Sequence, residues 1–210
     1  MDGKLITFEG IDGSGKSTQI RMLEGELRLR KFEVLMTREP GGTPLGRHLR
    51  EAFLETEEEV DPLAELLLFA ADRAQHVNFL IKPSLKEGII VLSDRYADAT
   101  FAYQGAGRGF SEKMVNQITE IATGGLKPNL TLFLDLPIEK SLARTNTETQ
   151  DDRKNNRMDS ETTEFYQSVR EAYLGIAEKE PKRFQIIDAD RPIEKIQSEI
   201  VEIVTDFLKM

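Results

Sequence analysis

The chain has 210 residues, a net charge of −9 and no cysteine, a length that suits one domain with a sizeable core. The acidic balance argues against nucleic acid or an anionic membrane as a partner. Without cysteine, disulfides and thiolate metal sites are excluded. No apolar run approaches a membrane span, and the first residues lead into a strand pattern with no signal-peptide stretch, so a cytoplasmic chain is expected.

Taken in order, the first expected strand is Lys4–Glu9, with Leu5, Ile6, Thr7 and Phe8 as its apolar, β-rich run. Gly10–Ser17 then reads G-I-D-G-S-G-K-S and fits the phosphate-binding pattern G-x-x-x-x-G-K-[ST] at every fixed position. In this loop (Gly10, Ile11, Asp12, Gly13, Ser14, Gly15) the three glycines let the backbone turn tightly and converge N–H donors on a phosphate. Lys16 can neutralise outer phosphates, and the Ser17 hydroxyl can ligate Mg2+. The amphipathic helix Ser17–Arg30, opening with Ser17 and Thr18, adds its positive dipole end.

A second strand, Glu33–Thr37, runs into Arg38-Glu39-Pro40-Gly41-Gly42, a rigid turn that exposes a charged pair and by itself indicates only a turn. Helices follow at Pro44–Phe53 and Pro62–Glu87, the latter expected to break near Lys82-Pro83. Phe69 and Arg73 lie four apart on one face. A flat ring beside a guanidinium can hold a base by stacking plus a hydrogen bond, although an aromatic at helical spacing also fits a core. The third strand, Ile89–Asp94, ends in an acid able to hold Mg2+ or its water shell, and Arg95 offers a fork for phosphate. A local Asp–Arg ion pair is the plainer alternative. Tyr103–Gly109 reads as a Gly-rich turn after a short helix, and the amide of Gln104, both donor and acceptor, suits an imide edge.

Helix Ser111–Thr123, strand Leu130–Leu136 and helix Ile138–Thr145 come next. Thr145–Asp159 is polar and nearly without apolar residues, either a solvated loop or a mobile lid whose Arg153 and Arg157 swing onto phosphates. Helix Ser160–Lys179, strand Phe184–Ile187 and helix Pro192–Leu208 close the chain, with Ile193, Ile196, Ile200, Ile203, Val204 and Phe207 as an apolar stripe meant for the core. Five short apolar strands alternating with helices predict a single α/β domain over residues 1–210. Its expected form is a doubly wound five-stranded parallel sheet flanked by helices, with a small lid at about 145–159 and ligands at the carboxyl ends of the strands.

Five stretches in order carry a resemblance over the whole chain: F-E-G-I-D-G-S-G-K-S-T, T-R-E-P-G-G-T, L-F-A-A-D-R, D-R-Y-A-D-A-T-F-A-Y-Q-G and R-K-N-N-R-M-D. Together they resemble the bacterial thymidylate (dTMP) kinases, nucleoside monophosphate kinases of the P-loop NTP hydrolase fold. The resemblance implies ATP and dTMP as substrates, Mg2+ as cofactor and a homodimer. It implies that the loop Gly10–Ser17 with Thr18 holds ATP, that Ser17 binds Mg2+ directly and Asp94 through water, and that Arg144 serves the adenine side. Phe69 would stack on thymine, Arg73 would reach O4, and Thr100 and Gln104 would bind the base from the other side, Gln104 at N3. Arg50 and Arg95 would hold the acceptor phosphate, Glu39 would lie near the acceptor sugar and phosphate, and Asp12 near the sugar 3′-hydroxyl. Tyr103 would crowd a ribose 2′-hydroxyl. Some members carry a basic residue in the phosphate loop where this chain has Gly13. The resemblance then assigns the catalytic arginine to Arg153 or Arg157, beside Lys16, Arg95 and Asp12.

Overall fold

The computed structural model describes residues 3–147, 158 and 161–209. Among them, five strands form one parallel sheet in the order β2-β3-β1-β4-β5. They are β1 (Lys4–Glu9), β2 (Val34–Arg38), β3 (Ile90–Asp94), β4 (Leu130–Asp135) and β5 (Phe184–Asp188). Each expected strand is present within a residue or so at its ends. The central strands are buried as their apolar runs demand, whereas the edge strands β2 and β5 mix buried, half-buried and exposed positions.

The period of two divides the sheet between two cores. Ile6, Phe8, Leu92 and Leu132 face α1 (Lys16–Leu29) and α9 (Ile193–Leu208), meeting Ile20, Leu23, Ile200 and Val204. On the other face, Leu5 and Val91 join Val77, Ile81 and Tyr96, while Phe133 stacks on Tyr173 of α8 (Thr163–Lys179) at 4.9 Å. The helices start where the sequence supplies caps. Thr43 accepts from the Gly46 amide ahead of α2 (Pro44–Leu54), and Asp61 accepts from Leu63 and Ala64 ahead of α3 (Pro62–His76), each with proline at the first helical position.

Three expectations need correction. The helical run after residue 62 does not break at Lys82-Pro83. It widens into a π-helical stretch, Val77–Ile81, and continues as α4 (Lys82–Lys86). The Lys82 amide reaches back to the Val77 carbonyl, and the wider turn just before Pro83 accommodates a ring that an ordinary turn would press on the carbonyl four residues back. Second, Phe101–Gly107 is a π-helical stretch continuing α5 (Ala97–Thr100), where a Gly-rich turn was expected from Tyr103. Its glycines permit close packing: a Cβ at Gly107 would lie 2.5 Å from the Phe165 ring of α8. Third, Ile193 in the apolar stripe is 50% exposed and lines the cleft described below, as does buried Ile196. The remaining helices are α6 (Glu112–Thr123) and α7 (Ile138–Thr147). The lid expected at about 145–159, with Arg153 and Arg157, lies outside the described residues save Thr145–Thr147 in α7 and Met158.

Candidate nucleotide site

A cleft of about 730 Å3 opens at the carboxyl ends of the strands, around β1, where strand order reverses. The loop between β1 and α1 forms its floor. Gly10 sits at φ 142°, and a Cβ there would lie 2.7 Å from the Leu134 carbonyl, so the turn requires glycine. Gly13 and Gly15 also have positive φ. No side chain caps the first turn of α1, which leaves its opening amides available to an anion. Lys16 Nζ donates to the carbonyls of Gly10 and Ile11, both at 3.0 Å, and so spans the loop. Burial, and next the Arg95 guanidinium, lower the Lys16 ammonium from its ordinary value, while Asp94 and Asp12 oppose the shift.

The end of β3 supplies the second wall. Ser17 Oγ donates to Asp94 Oδ2 at 3.0 Å, bringing two hard oxygens to one point. Arg95 adopts φ 70°, an uncommon backbone for a side-chain-bearing residue and a form of strain that concentrates at functional sites. The fold holds it on three sides: the Arg95 amide donates to Phe8 O, Ser93 Oγ to Arg95 O, and the Tyr96 amide to Glu9 Oε1 at 2.8 Å. Its guanidinium then donates to Gly10 O and Asp12 Oδ1 and lies 4.9 Å from the centre of the Tyr103 ring. The local Asp94–Arg95 pair, the plainer alternative from sequence, is not the one formed: Arg95 pairs with Asp12 of the phosphate loop.

The turn after β2 meets α3 in a buried charge cluster. Arg73, 3% exposed, donates to Glu39 Oε2 at 2.8 Å, to Thr100 Oγ1 at 2.6 Å and to Tyr96 O at 2.9 Å. His76 Nδ1 donates to the other Glu39 oxygen at 2.8 Å, and its Nε2 lies 2.7 Å from Thr37 Oγ1. Burial alone would push the Glu39 carboxyl up; Arg73 and His76 overcome it and hold the group below its ordinary value. Behind them Asp72 Oδ1 accepts from the Gly41 amide at 3.1 Å, and burial followed by the Glu39 charge raises its pKa to about 6. Arg50 reaches the same turn, lying near Pro40 O and Glu55.

The residues expected around the base all line this cleft. Phe69, with its ring edge-on to Phe53 at 4.8 Å, shares the lining with Arg73, Thr100, Tyr103 and Gln104. Asp12, Gly13, Ser14, Gly15, Lys16, Ser17 and Thr18 are in the same lining with Arg144, whose Nη1 donates to Gly13 O. Glu39, Arg50, Asp94 and Arg95 line it as well. Gly10 and Ile11 are not on the lining; they lend carbonyls to Lys16, and Ile11 is packed in the core.

Sequence reasoning missed several contributors. Arg191 lines the cleft, held by Glu199 and the Asp188 carbonyl beside Ala189 and Ile193, in the same lining as Arg38 at the end of β2, where ligands were expected to gather. Glu9 is fully buried, accepting from Tyr96 N–H and Tyr173 Oη, and burial followed by the Asp98 charge raises its pKa to about 8. Its signal was an acid ending a strand that is otherwise apolar. Glu65, also fully buried, lies one helical repeat before Phe69 and two before Arg73, so the face argument that found those two reaches it as well.

The family model described as thymidylate kinase matches residues 8–200. Among curated relatives, thymidylate kinase of Deinococcus radiodurans is 45% identical over 204 residues, covering 97% of both chains. That of Halothermothrix orenii is 47% identical over 200 residues, covering 95% of both. The crystal structure of thymidylate kinase from Ehrlichia chaffeensis superposes with a TM-score of 0.80 at 33% identity, covering 97% of this chain and all of that one. On these matches, and with its phosphate loop and strand-end acid sharing one cleft, the chain belongs to the thymidylate kinase family.

Proposed function

We propose that this chain transfers the γ-phosphoryl group of ATP to dTMP, giving ADP and dTDP, and that it does so as a cytoplasmic homodimer. The observation that carries the reading is one cleft lined both by the phosphate loop and by Phe69, Arg73, Thr100 and Gln104, with Lys16, Arg50 and Arg95 in the same lining. The acceptor phosphate needs no strong base, because its second pKa of about 6 leaves it largely ionised at neutral pH. One of its oxygens bonds to the γ-phosphorus of ATP as the bond to the ADP oxygen breaks. The site's task is to align two anions and offset their charge.

In that reaction the loop amides and Lys16 hold the ATP phosphates, and Arg50 and Arg95 hold the acceptor phosphate. The adjoining Ser17 hydroxyl and Asp94 carboxylate fit Mg2+, which favours one or two protein oxygens together with substrate phosphates and water. Ser17 would hold it directly and Asp94 through a water; when bound, the ion neutralises charge on the phosphates. Phe69 gives thymine a stacking face, Arg73 a donor for O4, and Tyr103 the crowding against a 2′-hydroxyl. Asp12 is positioned by Arg95 to meet the acceptor sugar. Arg144, Ala189, Arg191 and Ile193 receive adenine. Residues 145–159 act as the lid, and Arg153 or Arg157 supplies the catalytic arginine. Exposed Leu45, Leu63, Leu67 and Ile121, on the packed helices α2, α3 and α6, support an interface between copies. Among the described residues no helix is long and apolar enough to cross a membrane.

The test is a coupled ADP-release assay with ATP, Mg2+ and one acceptor at a time: dTMP, dUMP, UMP, dCMP and thymidine. Preference for dTMP is the expected result. Preference for thymidine would assign a nucleoside kinase, and ADP release independent of any acceptor would assign an ATPase.

A further inference from the structure

We propose that Glu65 is a positioning residue for base selection: it fixes which end of the Gln104 amide meets the ligand, and so biases the acceptor pocket toward an imide base over cytosine. The inference rests on the dTMP kinase reading and adds to it the means of discrimination. Gln104 is 2% exposed and lines the cleft, and its Nε2 donates to Glu65 Oε1 at 3.1 Å. A carboxylate accepts hydrogen bonds and has none to give, so the amide end that meets it is the nitrogen. The amide oxygen is left for the ligand. The reverse orientation would set an amide oxygen against a buried carboxylate, two acceptors with no proton between them.

Glu65 is itself held in place. Arg108 Nε donates to its Oε1 and Nη2 to its Oε2, both at 3.2 Å. Arg108 is fixed in turn by Glu161 at 2.6 Å and by the Phe165 ring, 4.9 Å from the guanidinium carbon. The charge that orients Gln104 is thus clamped between α3, the π-helical stretch and the start of α8.

The complementarity follows from donors and acceptors. Arg73 carries five N–H groups, and three are engaged by Glu39, Thr100 and Tyr96. Arg73 therefore presents donors and Gln104 an acceptor within one lining. Thymine answers with the C4 carbonyl and the N3–H beside it. Cytosine offers the opposite pair, an amino donor and a bare N3, and mismatches both. Sites built on hydrogen bonds to a ligand discriminate strongly because a mismatch leaves buried polar groups unpaired.

The decisive variant is Glu65→Gln, equal in size but with an amide that either donates or accepts, so Gln104 is no longer forced one way. We expect the ratio of kcat/KM for dTMP to that for dCMP to fall about tenfold, with the KM for ATP unchanged. Loss of packing alone would lower both acceptors together, and an unchanged ratio in the folded variant overturns the proposal. A second measurement needs no variant. The 2-pyrimidinone deoxynucleotide, whose N3 is an acceptor, should bind the wild-type chain at least about tenfold more weakly than dTMP; equal binding overturns the orientation of Gln104. A wild-type chain inactive on dTMP would sink the functional reading itself, whereas an active one with the ratio preserved in Glu65→Gln would sink this inference alone.

Discussion

The buried pair of Arg73 and Glu39 gives the sharpest test of how the acceptor pocket is built. Arg73→Met keeps an unbranched chain and removes the guanidinium. Glu39 then remains in the interior with His76 as its remaining described partner, and Thr100 Oγ1 and Tyr96 O lose a donor. Stranding one member of a buried ion pair costs about 3–5 kcal/mol. In a domain of this size that lowers the melting temperature by about 6–20 °C. Adding Glu39→Gln removes the stranded charge, so the double variant should be more stable than Arg73→Met alone, which is the sign of direct coupling. The pH dependence follows. In the wild type the Glu39 carboxyl is held below its ordinary value, so it contributes stability above that value and loses it as pH falls through the depressed one. Without Arg73 the burial penalty is less opposed, so the deficit of Arg73→Met should shrink on moving from about pH 8 to about pH 5. Urea unfolding of the wild type, single and double variants at both pH values measures each quantity. A loss under about 1 kcal/mol at the higher pH, or a double variant worse than the single, would refute the reasoning.

Glu9→Gln tests the acid beneath the phosphate loop. With its folded pKa at about 8, above the unfolded value, native Glu9 keeps a proton that the unfolded chain releases, so wild-type stability falls as pH rises between the unfolded and folded values. Glutamine cannot ionise, so the variant's melting temperature should gain on the wild type through that window and run parallel below it; a constant difference throughout contradicts the assignment. Gly46→Ala would place a Cβ inside contact distance of Asp72 Oδ1 and 3.1 Å from Thr43 Oγ1, pressing on the carboxylate that anchors the Gly41 amide. It should cost about 1–3 kcal/mol in urea unfolding and raise the KM for dTMP; unchanged values would show that the turn does not depend on Asp72. Arg153→Ala or Arg157→Ala should lower kcat far more than it raises the KM for dTMP in steady-state kinetics, and an unchanged kcat in both would move the catalytic arginine elsewhere.

The sheet was legible because a strand covered on both faces must be almost continuously apolar, and Leu5–Phe8, Ile90–Leu92 and Leu130–Leu134 are. The phosphate loop was legible because its chemistry is local: glycine torsions, Lys16 and the Ser17 hydroxyl within eight residues. The partners were not. That Arg95 pairs with Asp12 depends on β3 lying beside β1, and that Gln104 pairs with Glu65 depends on α3 packing near a π-helical stretch. The stretch itself escaped because glycine near Tyr103 signals a turn locally, while here it admits the Phe165 ring. Glu65 was within reach, since it shares the face already read for Phe69 and Arg73. A buried acid with no visible counter-charge in sequence looks like a surface residue until the fold brings Arg108 to it.

The central claim is that this cleft moves a phosphoryl group between two nucleotides. The most direct measurement is transfer of label from γ-labelled ATP to dTMP with Mg2+, following the wild type beside Lys16→Ala. Label should appear in dTDP with the wild type and be nearly abolished in the variant, whose circular dichroism should remain that of the folded chain. Label appearing only as free phosphate, or equal transfer by the folded variant, would contradict it.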